Sequence, residues 1–127
     1  MSSFAACVDL LPVPRSIRLA RQLVGDLLAV WKAPHSLDDA ALLVTEVVAN
    51  VVDHVGGDES FRLEVTLSGE WLRIGVVDGS AVRPVVREMS TERLRGRGMQ
   101  LVSALADRWG VEDHDGGKRV WFELSWP

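Results

Sequence analysis

Glu46, Asn50 and His54 stand four residues apart in a stretch that is otherwise mostly valine, leucine and alanine. On a helix, each four-residue step rotates by about 40° and rises by about 6 Å, so the three side chains stack along one edge. Ala49 and Asp53 extend the same stripe. A polar helix stripe is ordinarily a solvated face. A narrow one on an apolar helix instead puts its groups at the rim of a cleft, and here their chemistry is complementary. The amide oxygen of Asn50 can ligate a hard cation such as magnesium. The carboxylate of Glu46, one turn away, can take the proton of a nucleophile attacking a phosphoryl group. His54 is one turn further along and reads as a rim histidine with its hydrogen bonds met locally.

Two further spots carry candidate chemistry. Asp78 ends an apolar run, Val76-Val77-Asp78-Gly79-Ser80. The plain reading is an Asp-Gly turn. The functional reading is a carboxylate at a strand terminus, accepting a hydrogen bond from the amino group of a base. Gly96-Arg97-Gly98 reads as the start of a helix. There, unpaired N–H groups and the positive dipole end face an anion, and glycine lets the backbone approach a phosphate closely. Arg93, Arg95 and Arg97 add positive charge at that point. The spacing matches neither the Walker pattern nor a full GxGxxG.

The elements that must position these groups follow from periodicity. Residues 4–11 read as an opening strand, and Pro12 and Pro14 break it, with Pro14 placed at the start of a helix. Ile17, Ala20, Arg21, Val24, Leu27, Leu28 and Trp31 recur at helical spacing, which predicts a helix over 15–32. Ser36 suits the cap of the next helix, with Asp38 and Asp39 in its first turn. The valines of 37–55 favour a strand, but a strand that long is out of range, so the segment reads as a helix closed by Gly56-Gly57. Phe61, Leu63, Val65 and Leu67, then Leu72, Ile74 and Val76, alternate with polar residues about a Ser68-Gly69-Glu70 turn, a hairpin pattern. Residues 79–95 read as a loop, 97–108 as a third helix, and 109–114 with 118–125 as a last hairpin. Helices segregated from strands predict an α+β two-layer sandwich, a mainly antiparallel sheet with helices on one face.

The chain has 127 residues and a net charge of −4, with 47% hydrophobic and 25% charged residues. That suits one soluble domain over 1–127 with a sizeable core. A duplex-DNA binder would usually be basic, so nucleic acid is not an expected partner. No apolar run reaches the roughly 18 residues of a membrane span. The first ten residues lack the pattern of a secretory signal. A single cysteine, Cys7, fits the reducing cytoplasm. His35, His54 and His114 are too scattered to suggest zinc. Trp31, Trp109 and Trp121 are expected in the core and Trp126 at the surface or an interface. Arg15, Arg18 and Arg21 read as a solvated face of the first helix. Within this acidic chain, five arginines fall between Arg83 and Arg97, against only Glu88 and Glu92.

Taken in order, these pieces resemble a known family. Glu46-x3-Asn50 resembles the N box of the GHKL ATPases, Asp78-Gly79-Ser80 their first glycine box, and Gly96-Arg97-Gly98-Met99-x-Leu101-Val102 their second. The segment Gly116-Gly117-Lys118-Arg119-Val120-Trp121-Phe122 is similar to the closing strand of the anti-sigma-factor serine kinase branch, in its small actinobacterial form. The resemblance implies a Bergerat-type ATP site and covers roughly residues 10–125. It implies that Asn50 holds Mg²⁺, that Glu46 is the general base, and that Asp78 accepts from the adenine amine beside Gly79. It places Arg95, Gly96, Arg97, Gly98 and Met99 around the phosphates and residues 81–95 as a lid. It further implies phosphorylation of a serine on an antagonist (anti-anti-sigma) protein, sequestration of a sigma factor, and a homodimer. A basic patch on the first helix would then be a partner surface. The chain departs from the family at Ser80 and Val82, which stand where glycines are usual, and at Arg119, where relatives often carry a threonine that supports the base. Those departures favour the alternative of a partner-binding switch without catalysis.

Overall fold

The computed structural model describes residues 3–54, 59–79, 104–114 and 116–126. Seven elements follow in order: β1 (Ser3–Leu10), α1 (Arg15–Trp31), α2 (Leu37–His54), β2 (Phe61–Ser68), β3 (Trp71–Asp78), β4 (Arg108–His114) and β5 (Gly117–Ser125). The strands form one sheet in the order β1-β2-β3-β5-β4. Every neighbouring pair is antiparallel. With both helices on one face, this is the expected α+β sandwich.

Local chemistry explains where the helices begin and end. Pro14, already in helical conformation, precedes α1, and the Ser16 hydroxyl donates to the Leu11 carbonyl at 2.6 Å. The helix closes at Lys32, whose backbone turns left-handed (φ 55°) and whose N–H bonds back to Ala29. At the start of α2, the Ser36 hydroxyl accepts the N–H of Asp39 at 3.2 Å, so Ser36 caps the helix as its side chain predicts. The expected closing glycines, Gly56 and Gly57, lie outside the described residues.

The core fills the space between layers. Val24, Leu43, Val44, Val47 and Val48 from the helices meet Leu63, Val65, Leu72, Ile74, Val76 and Phe122 from the sheet, all of them essentially without solvent contact. In β3 the buried series runs Leu72, Ile74, Val76, Asp78; in β5 it runs Lys118, Val120, Phe122, Leu124. Alternation across a pleated strand thus gives one apolar face, and each of these strands ends that face with a charged residue. α1 packs on α2, and α2 lies over β3 and β5.

A buried contact fastens the opposite end of the sheet. His35, in the α1–α2 connection, donates through Nε2 to the carbonyl of Glu70 at 2.7 Å. The N–H of Trp126 donates to the same carbonyl at 2.9 Å.

Two expectations change. Of the third helix expected over 97–108, residues 97–103 lie outside the described part, only Ala104 and Leu105 are helical, and the chain is already a strand at Arg108. Contacts to β5 override helical preference there. The N–H of Asp107 bonds to the Glu123 carbonyl, and its carboxylate accepts from the N–H of Ser125 at 2.7 Å. The Arg108 guanidinium pairs with Glu123 at 2.8 Å and stacks on the Trp71 ring. The second change concerns tryptophan. Trp31 and Trp109 pack against the core as expected. Trp121 instead falls on the sheet face away from α1 and α2, because it alternates with the buried Val120 and Phe122, and the Arg73 guanidinium lies 4.2 Å over its ring.

Candidate functional site

Asp78 is the last residue of β3 and sits directly across from Lys118 of β5. Both belong to the helix-facing side, and each is only 4% exposed. The Lys118 ammonium lies 3.2 Å from each carboxylate oxygen of Asp78. Burying either charge alone would be costly, so the two are mutually required where they stand. Gly117 makes this approach possible. A Cβ there would run into the Asp78 carbonyl oxygen and come within 2.8 Å of the Gly79 Cα. Gly79 itself is an exposed bend just past the strand.

α2 supplies the second set of groups. Asn50 is buried, at 9% exposure, and Glu46, one turn earlier, is half-buried. Both lie on the helix that packs over β3 and β5, the strands that carry Asp78 and Lys118. Asp53 is exposed. The backbone of His54 closes α2, and its side chain is outside the described part, as are Arg95, Gly96, Arg97, Gly98, Met99 and the proposed lid at 81–95. Among the described residues, no three His, Cys, Asp or Glu side chains gather closely enough to hold a metal ion.

The position opposite Asp78 corrects the sequence reading. Arg119, matched to the base-supporting threonine, is on the other face of the sheet. Its Nε donates to Glu64 at 3.0 Å and its Nη1 to Glu112 at 2.7 Å. The hydrogen bonds to Glu112 and then Glu64 raise the guanidinium pKa above its ordinary value. The residue beside Asp78 is Lys118, which motif matching passed over. A signal for it was available: Lys118 is in phase with Val120, Phe122 and Leu124, so period-two alternation puts it on the core face.

The histidine kinase-like ATPase domain family matches residues 11–124, nearly the whole chain. The chain belongs to that family. Among solved structures, the ATPase domain is similar in fold to the RsbU and RsbW domains of Rv1364c from Mycobacterium tuberculosis, with a TM-score of 0.73 and 19% sequence identity. The likeness covers 96% of this chain but 32% of the other, so the ATPase domain spans about a third of that chain. No curated protein matches it in sequence. The fold expected from the GHKL resemblance is therefore the fold found.

Proposed function

We propose that this ATPase domain binds magnesium-ATP and works as a regulator of the anti-sigma kinase type, passing the γ-phosphoryl group to a serine of an antagonist protein and sequestering a sigma factor. The observation that carries the reading is the Asp78 carboxylate, buried at a strand end on the helix-facing side of a histidine kinase-like ATPase fold. Its acceptor oxygens suit an exocyclic amine. Asn50 would contribute its amide oxygen to the magnesium ion, whose remaining ligands would come from phosphates and water, since the described side chains form no metal cluster of their own. The ion, when bound, neutralises phosphate charge. Glu46 would take the proton of the incoming serine hydroxyl. Gly79, Arg95, Gly96, Arg97, Gly98 and Met99 would line the nucleotide by family correspondence.

Calorimetry with magnesium-ATP tests the binding step: heat is expected with wild type and a large loss with Asp78→Asn. No heat at millimolar nucleotide would sink the reading. Glu46→Ala should then abolish transfer while binding is kept. The cytoplasm, a homodimer, and antagonist and sigma-factor partners belong to the same proposal. The solved relative, with an RsbU domain beside its RsbW domain, supports a setting of partner proteins. A second reading, a switch that acts without catalysis, is favoured by one specific observation: Lys118 already engages the carboxylate that a base would need.

A further inference from the structure

We propose that Lys118 reads the base: its ammonium donates to the N1 ring nitrogen of adenine while Asp78 accepts from the exocyclic amine next to it. The inference rests on the nucleotide reading above and adds a specificity residue to it. A lysine at 4% exposure, in a stripe otherwise made of Val120, Phe122 and Leu124, needs a reason. Fold stability does not supply one, because a buried ion pair is often matched or bettered by apolar residues of similar volume. Geometry does supply one. The pair sets a donor and an acceptor side by side, 3.2 Å apart, at the end of the same sheet face. The edge of adenine presents the complement, an amine donor beside a ring acceptor. A carboxylate alone satisfies the amine but leaves N1 facing another acceptor.

Guanine would require the opposite order, with Lys118 at its carbonyl and Asp78 at its ring N–H. The assignment therefore predicts a preference as well as a contact.

Calorimetry on the wild-type chain with ATP, 1-deaza-ATP and GTP tests this without altering the fold. Replacing N1 by a C–H should weaken binding about tenfold to a hundredfold, the worth of a hydrogen bond to a charged group. GTP should also bind more weakly than ATP. In Lys118→Thr, ATP and 1-deaza-ATP should come within about threefold of each other. Lys118→Arg, which keeps a donor and the charge, should retain the discrimination and serves if the threonine variant does not fold by circular dichroism. Equal binding of ATP and 1-deaza-ATP by wild type would overturn the proposal. So would GTP binding tighter than ATP, or tighter ATP binding by Lys118→Thr than by wild type, which would make Lys118 a plug. If wild type binds ATP and Asp78→Asn does not, yet 1-deaza-ATP binds as well as ATP, only the role of Lys118 fails. If no nucleotide binds wild type, the nucleotide reading fails with it.

Discussion

Lys118 and Arg119 are neighbours in one strand, both cationic, both paired with carboxylates, yet they inhabit different media. Lys118 faces the helices beside Asp78, with both side chains nearly sealed from water. Arg119 faces away from the helices, between Glu64 and Glu112, where the three side chains are 21%, 30% and 45% exposed. The pleat alone makes this difference. It teaches that an ion pair's role is set by which side of the sheet it occupies. On the covered side, each charge depends on its partner and the pair is chemically poised. On the side away from the helices, water and salt share the work, and the pairs of Arg119 with Glu64 and Glu112 and of Arg73 with Glu123 dress a sheet surface.

Breaking the buried pair should have the largest effect. Lys118→Met removes the ammonium beside Asp78 and should cost about 3 kcal/mol of unfolding free energy, at the low end for a broken buried pair because the site lies at a strand end. Asp78→Leu with Lys118→Met should recover to within about 1 kcal/mol of wild type. Urea unfolding measures both; a single variant as stable as wild type would mean that water reaches this end of the sheet. Next come two glycines, one for each side of the contrast. Gly117→Ala must part the ends of β3 and β5, since its methyl meets the Asp78 backbone. It should cost about 1–3 kcal/mol and weaken ATP binding as well. Gly110→Ala meets the Trp121 ring at 2.9 Å on the face away from the helices. A ring can shift, so the cost should fall near the lower end, about 1 kcal/mol, with nucleotide binding unchanged in calorimetry. The smallest effect is expected from Arg119→Ala, at most about 1 kcal/mol, shrinking further as salt is raised. The raised pKa of Arg119 means that its stabilising contribution is complete below the ordinary arginine value, far above neutral pH, and is lost only as pH rises through the raised one. Denaturant midpoints across neutral pH should therefore show no step from this residue.

What the sequence disclosed, and what it withheld, follows the range of each interaction. Helix and strand periods are local, so the valine-rich segment could be read as a helix from its length and the β2–β3 hairpin from its alternation. The Ser36 cap is equally local. The end of the third helix was misplaced because Asp107 and Arg108 are held by Ser125 and Glu123, residues more than a dozen positions away. The partner of Asp78 was missed for the same reason. β3 and β5 are adjacent in the sheet, but Asp78 and Lys118 stand forty positions apart in the chain, and their register exists only once the chain is folded. Alternation within β5 could have put Lys118 on the core face, but only pairing could put it opposite Asp78. Trp121 was drawn into the expected core by its size, when its phase with Val120 and Phe122 already excluded it.

The Glu70 carbonyl, shared by His35 and Trp126, ties the start of β3 to the helix connection and to the chain just past β5. β3 is clamped where it begins, beside the turn that the helix connection grips, and it carries Asp78 at its far tip. That tip is held on both sides, by Arg62 of β2 across from Val77 and by Lys118 of β5 across from Asp78. The helix connection and the Asp78–Lys118 pair are thus joined through the length of one central strand.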